Sequence, residues 1–271
     1  MFLSESIKRK LRRSRLARAF YQTCLKKIVT FPLRFTKLRV LQLRNFPLKD
    51  LFNPDKTSLL VTVAPYTQAG YPRMTNIYDL SKDVEQRQLA GAFVECGTWK
   101  GGCAAVMGAI AKRYGSRRKT YYLDSFEGMP PATKEDGPGS ARLAGDKLKA
   151  SMEDVKELVF GKLHLSPDKN ILVKGWFEDT LPKVKKEIGQ IAILRLDADW
   201  YSSTMTILNE LYDQVVSGGF VIFDDYGTWP GCRQAVHEFI EKRKLKVKFQ
   251  YIGTNDPTAF GKLPPMYFVK P

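Results

Sequence analysis

From about residue 90 to the end of the chain, short apolar runs alternate with segments of helical periodicity, and this alternation restricts the fold more than any other feature. The runs 92–96, 120–124, 170–174, 191–197 and 219–224 read as buried strands. Between them lie helical patterns near 101–114, 146–160, 180–188, 203–216 and 231–243. Strands separated by helices at this spacing assemble into a parallel sheet with helices on both faces. The last two segments, 246–251 and 266–269, have no helix between them and read as a terminal antiparallel pair. The expected fold is therefore α/β, with seven strands, mostly parallel. A chain of 271 residues can bury one good core and carry an additional N-terminal segment.

The first strand ends in ECGTWKGG, residues 95–102, which puts an acid and a glycine-rich turn between the strand and a helix. A strand that turns on glycines into a helix N-terminus is a common cofactor-binding arrangement in α/β proteins. The spacing here, Glu95-x-Gly97-x-x-x-Gly101, differs from the close-set glycines that admit a pyrophosphate. One acid at the strand end suits an amine or a hydroxyl instead. That chemistry points to S-adenosylmethionine, which carries an amino acid group and a ribose but no phosphate. Taken alone, the motif reads equally as a plain strand–turn–helix.

Charge is unevenly distributed. Residues 1–50 hold 14 of the 44 Lys and Arg but only two of the 28 acids, Glu5 and Asp50. They carry about +12 of the net +16, and the remainder, with 30 basic and 26 acidic residues, is close to neutral. We therefore expect a basic, apolar-studded arm over 1–55 and a catalytic domain over 56–271, with the prolines from Pro54 to Pro72 marking the passage between them. Such an arm suits an anionic membrane surface, nucleic acid or an acidic partner, or it is a solvated leader, an organelle transit peptide included. It has no apolar run long enough to cross a membrane. Cys24, Cys96, Cys103 and Cys232 form no Cys-x-x-Cys pair, so a reducing, cytoplasmic setting is expected, peripheral to the inner membrane face if the arm binds lipid. With only His164 and His237 available, a metal site would be built mainly from carboxylates, favouring magnesium, calcium or manganese.

In open parallel sheets, ligands bind beyond the carboxyl ends of the strands. Glu95, Asp124, Gly175-Trp176, Asp197 and Asp224-Asp225 all fall there. Asp124 either accepts from both hydroxyls of a ribose or caps the turn Ser125-Phe126-Glu127-Gly128. Trp176, or Phe177 beside it, stacks on an adenine or belongs to the core. Asp197, Asp224 and Asp225, with Asp199 close by, follow buried runs. Carboxylates gathered at one sheet edge stay ionised only near a cation, which favours a hard divalent ion. The competing reading makes them exposed turn residues.

Six segments together carry a resemblance: ECGTWKGG (95–102), LDSFEGMPP (123–131), GWFEDTLP (175–182), LRLDADWYSST (194–204), GGFVIFDDYG (218–227) and CRQAVHEF (232–239). In order and spacing, over roughly residues 66–245, the chain resembles the macrocin and mycinamicin (TylF-type) sugar O-methyltransferases. The resemblance implies the Rossmann-like fold of class I methyltransferases and a methyl transfer from S-adenosylmethionine to a sugar hydroxyl, assisted by Mg2+ or another hard divalent cation. It implies cofactor contacts at Thr67, Glu95, Gly97, Gly101, Asp124, Ser125, Gly175 and Trp176. Metal ligation falls on Asp197, Asp224 and Asp225, with Asp197 also the base. The chain departs from the family at Ala198, where a glycine is usual and where crowding of the turn is expected, and at Gln68, where the family's Tyr-Thr-Met segment has methionine. Relatives often self-associate.

The chemistry such a site needs is orientation and deprotonation of a hydroxyl, since a sulfonium methyl is already activated. His237 is a second basic group, but its helical neighbours Val236, Phe239 and Ile240 suggest a structural role near a packed face. Other readings are a catechol-type methyltransferase, a nucleic-acid methyltransferase, disfavoured by the near-neutral body, and a non-catalytic methyltransferase-like protein that docks on membranes. The glycine-rich stretch 132–146 is expected to be a flexible loop over the acceptor site.

Overall fold

A computed structural model describes residues 50, 52–140, 145, 148–253 and 263–271. The basic arm expected over 1–55 lies almost wholly outside the described residues. Two compact units make up the chain, residues 1–61 and 62–271. Helix α1 (Pro54–Val63) begins where Asn53 Oδ1 accepts the Lys56 amide at 3.1 Å. Pro54 occupies the first helical position, where its missing N–H costs nothing.

The second unit starts with helix α2 (Tyr71–Gln86), again opened by a proline in its first turn, Pro72. Then follow β1 (Ala92–Cys96), α3 (Gly102–Arg113), β2 (Thr120–Asp124), α4 (Met152–Lys156), β3 (Asn170–Lys174), α5 (Phe177–Ile188), β4 (Ile191–Leu196), α6 (Tyr201–Leu211), β5 (Val215–Phe223), α7 (Pro230–Lys242), β6 (Gln250–Tyr251) and β7 (Met266–Val269). The strands form one seven-stranded sheet in the order β3-β2-β1-β4-β5-β7-β6. β1 to β5 are parallel, while β7 pairs antiparallel with both β5 and β6. This is the mostly parallel α/β sheet with an antiparallel terminal pair that the alternation predicts.

Every residue of β1 and β4 is buried, as strands covered on both faces must be. α3 is buried along nearly its whole length because its residues are small: Cys103, Ala104, Ala105 and Gly108 let neighbouring elements approach closely. A Cβ on Gly108 would lie 2.4 Å from Asn170 Oδ1. Where the helices differ from expectation, local chemistry explains it. α4 starts at Ser151, whose hydroxyl accepts the Asp154 amide while the Asp154 carboxylate accepts back, a reciprocal cap. It continues as a π turn, Glu157–Lys162. α6 stops at Leu211 and β5 already begins at Val215, before the glycines Gly218 and Gly219.

The strand order turns back between β1 and β4, since β2 and β3 lie on one side and β5 on the other. Crevices open at such switch points, beyond the carboxyl ends of the strands. Gly97 permits this one. Its φ is +88°, and a Cβ there would sit 1.7 Å from the Asp197 backbone oxygen, so the β1 turn closes onto the β4 end only with glycine. Gly97→Ala is expected to destabilise the protein by more than ~3 kcal/mol, combining a left-handed backbone penalty with a backbone clash. Gly115→Ala, at φ +66° with nothing within 4 Å, should cost only about 1 kcal/mol. Denaturant unfolding checks the difference, and equal losses would contradict the close-approach argument.

Candidate active site

At the centre of the crevice lies a charge that the sheet cannot bury alone. Arg195 stands in β4 directly beside Glu95 of β1, and its own exposure is 1%. Its guanidinium donates from Nη1 to Glu95 Oε1 at 2.5 Å and to Asp197 Oδ2 at 2.7 Å, and from Nη2 to Asp224 Oδ1 at 2.5 Å. Register explains the convergence. Asp197 is two residues beyond Arg195 and so returns to the same face. Asp224 follows β5, in which Ile222 pairs with Arg195. One arginine thus joins carboxylates carried by three neighbouring strands. A second, Arg73 from the first turn of α2, donates to Asp224 Oδ2 and to the Gln68 carbonyl, the latter at 3.0 Å.

Around this cluster opens a cavity of about 540 Å3. Thr67, Glu95, Gly97, Asp124, Ser125, Gly175, Trp176, Asp197, Asp224 and Asp225 all line it, so nearly all the residues singled out in the sequence come together. Gly101 does not line it: it precedes α3 and packs on Val155. Seven carboxylates and two guanidiniums border the space, with Trp99, Trp176 and Trp229 as its indoles.

The β1 side is braced from within. Glu95 Oε2 accepts the Thr98 hydroxyl at 2.9 Å and the Ala104 amide at 2.8 Å, so the acid holds the glycine turn and the start of α3. Burial pushes its carboxyl up to about 7, against the pull of Arg195. Asp124, at the end of β2, accepts the Trp99 amide on Oδ2 and the Phe126 amide on Oδ1, both at 2.8 Å. It therefore caps the turn as one sequence reading expects, while each oxygen keeps a lone pair for a further donor. Ser125 closes that turn, donating to the Gly128 carbonyl and accepting the Glu127 amide. Thr67 accepts the Ala69 amide and meets Cys103 Sγ at 3.5 Å.

On the β4–β5 side, oxygens of Asp197, Asp224 and Asp225 all lie within 4.8 Å of one another. Their electrostatics diverge. Burial works against ionisation of Asp224, yet Arg195 and Arg73 hold it below the ordinary carboxylate range. Asp225, buried with Asp199 and Asp197 beside it, is pushed well above that range. Asp197 is raised by burial despite Arg195, and 32% of its side chain remains exposed toward the cavity. Asp199, raised to about 7 by burial and by Asp197, accepts the Trp229 indole N–H at 2.6 Å and donates its own amide to Asp225 Oδ2 at 3.0 Å. The left-handed backbone of this turn falls on Asp199, at φ +58°, and not on Ala198, so a glycine at 198 is not required. His237 has the structural role expected of it, hydrogen-bonded to the Tyr226 hydroxyl at 2.9 Å, with its ring against Tyr226 and Phe249 and absent from the cavity wall, although the residue is exposed. The described part of the 132–146 stretch is pinned at Asp136, which accepts the Tyr201 amide at 2.7 Å.

Two residues that matter most, Arg195 and Arg73, are missing from the sequence reading. A signal existed for the first, because a charge inside an apolar strand demands a partner. None existed for Arg73, whose partner lies 151 residues away.

The doubly covered, mostly parallel sheet with an acid-lined crevice at its switch point is shared with solved O-methyltransferases, and the family and relatives that the chain matches make it an S-adenosylmethionine-dependent O-methyltransferase. It matches the solved structure of the O-methyltransferase NovP with a TM-score of 0.66 and 31% identity, over 76% of this chain and 82% of that one. The chain belongs to the macrocin-O-methyltransferase (TylF) family, whose model matches residues 55–258. It is 33% identical to the mycinamicin III 3''-O-methyltransferase of Micromonospora griseorubida, over 68% of this chain and 73% of the relative. It is 34% identical to the 8-demethyl-8-(2,3-dimethoxy-alpha-L-rhamnosyl)-tetracenomycin-C 4'-O-methyltransferase of Streptomyces olivaceus, over 64% and 67%.

Arg195→Met leaves three buried or half-buried carboxylates without their shared partner, so we expect a loss of about 3–5 kcal/mol in denaturant unfolding at neutral pH. In that variant Glu95 and Asp197, already raised by burial, rise further above their unfolded values, while Asp224 keeps Arg73. The folded state then binds more protons above about pH 4, and its deficit relative to wild type grows as pH rises from 5 to 8. A deficit that shrinks with pH would contradict this.

Proposed function

We propose that this enzyme transfers the methyl group of S-adenosylmethionine to a hydroxyl of a sugar, on a glycan, a glycolipid or a glycosylated natural product, with Mg2+ or another hard divalent cation at Asp197, Asp224 and Asp225. The observation that carries the reading is that one cavity joins the β1–β2 acids to the β4–β5 carboxylate cluster. The relative that modifies a rhamnosyl-bearing tetracenomycin supports the sugar as acceptor class.

In this reading Asp124 accepts from the ribose hydroxyls with the lone pairs that Trp99 and Phe126 leave unused. Glu95, Gly97 and Gly101 shape the turn that meets the amino acid end, together with Thr67. Ser125 and Gly175 hold the walls on either side, and Trp176 flanks the adenine. The excess of carboxylates over guanidiniums around the cavity suits a cofactor bearing a sulfonium.

The residues fit a cation of the hard type. Their donors are all carboxylate oxygens, and the burial and mutual repulsion that oppose ionisation of Asp225 and Asp197 are what a divalent cation there would relieve. Bound there, the ion would lower the pKa of an acceptor hydroxyl. Asp197 is the proton acceptor in this reading. Arg195 fixes one of its oxygens, while burial makes it more basic than a free aspartate, so it takes the proton that the hydroxyl loses as the oxygen–methyl bond forms and the sulfonium–methyl bond breaks, its electron pair returning to sulfur. Trp229, anchored through its indole N–H to Asp199, forms part of the acceptor wall.

We further propose that residues 1–55 act apart from the catalytic domain, 56–271, as a docking arm for an anionic membrane surface, supported by the 14 basic residues among the first 50. Among the described residues, no helix is long and apolar enough to cross a membrane.

Methyl transfer from labelled S-adenosylmethionine to a panel of rhamnosylated and other glycosylated acceptors tests the reading. Asp197→Asn and Asp225→Asn are each expected to lower transfer at least ~100-fold while S-adenosylhomocysteine binding changes little. Transfer at the wild-type rate in both variants would sink it, as would activity that persists after full removal of divalent ions.

A further inference from the structure

Both oxygens of Asp224 are occupied by guanidiniums, Oδ1 by Arg195 and Oδ2 by Arg73. The two cations are held differently. Arg195 belongs to a central strand and is bonded to three carboxylates, so it cannot leave without unmaking the sheet's interior. Arg73 stands in the first turn of α2, and its side chain is 14% exposed. It also donates to the Gln68 carbonyl, in the neighbouring segment that lines the cavity. We propose that Arg73 is a resident counter-cation of the carboxylate cluster: it neutralises Asp224 when no divalent ion is bound and is pushed off that carboxylate when one enters, thereby weakening and making reversible the binding of the ion. This inference rests on the metal reading given above.

The physical basis is the repulsion between like charges inside a poorly screened site. A divalent ion held by Asp224 would be close to the Arg73 guanidinium that shares that carboxylate, where the Coulomb cost would be far larger than in water. The negative charge that Arg73 stabilises is the one the ion would use, so the two compete for it. After displacement Arg73 retains the Gln68 carbonyl, which gives the charged group somewhere to go. A lysine at 73 would keep the competing charge, whereas a methionine would keep only the bulk.

Titration of the purified full-length chain with Mn2+, followed by electron paramagnetic resonance of the free ion, distinguishes the cases. Arg73→Met is expected to bind Mn2+ about tenfold more tightly than wild type, and Arg73→Lys to stay within about threefold of it. The melting temperature gives a second readout. Arg73→Met, destabilised in chelator because Asp224 loses a partner, should be raised more by Mn2+ than wild type is. Should Arg73→Met fail to fold in chelator, Arg73→Gln takes its place under the same expectation. Wild-type binding with equal or weaker affinity in the charge-removed variants overturns the role of Arg73 and leaves the metal reading standing. Absence of Mn2+ binding by every protein at millimolar ion overturns the metal reading and this inference with it.

Discussion

The structure depends on how a single buried guanidinium is satisfied. Arg195 sits within a strand whose every residue is buried, and an unpaired charge there would be prohibitive. Its partners come from the end of β1, the end of β4 and the residue after β5, so satisfying it requires those three strands to be neighbours in one register. The same requirement brings the cofactor-side acid Glu95 and the cluster Asp197–Asp224 to opposite ends of one group. The two halves of the crevice are therefore a consequence of one polar constraint in the core, reinforced by the close approach of Gly97 to the Asp197 carbonyl.

That arrangement also accounts for the uneven electrostatics of the cavity. Where each oxygen of a carboxylate is held by a different guanidinium, as at Asp224, ionisation is favoured in spite of burial. Where carboxylates face one another, at Asp225 and Asp199, it is opposed. A methyltransferase site needs both conditions. Fixed negative charge favours a cationic cofactor, and a more basic carboxylate takes a proton from an alcohol. The family supplies the reaction class, and the distribution of these charges supplies a physical reason why this crevice can carry it out.

Much of the fold was legible because parallel strands buried on both faces leave uninterrupted apolar runs, and Ile191–Leu196 and Ala92–Cys96 are such runs. The site was legible because chemistry in these sheets collects at strand ends, where Glu95, Asp124, Asp197 and Asp224 stand. The failures have particular causes. Helix α2 went unread because Pro72 looked like a boundary, although proline in a first turn marks a helix start. The sequence places β5 at 219–224, because the apolar pattern of 203–216 reads as helix, yet the strand starts at Val215 and runs through Gly218 and Gly219. The need for a cation beside three carboxylates was recognised, but two cations were already in the chain. Arg195 was hidden in an apolar run, and Arg73 is brought to Asp224 only by tertiary packing. Helical periodicity places His237 near a packed face, and the buried Tyr226 and half-buried Phe249 meet its ring there.

We propose that the crevice between the β1 and β4 ends holds S-adenosylmethionine, with Asp124 at its ribose. Isothermal titration of the cofactor into wild type and Asp124→Asn tests it most directly. The account predicts one site in wild type and a loss of affinity of roughly a hundredfold or more in the variant, since an amide replaces an acceptor that serves two hydroxyls. Equal affinities, or no binding to the wild-type chain, would contradict it.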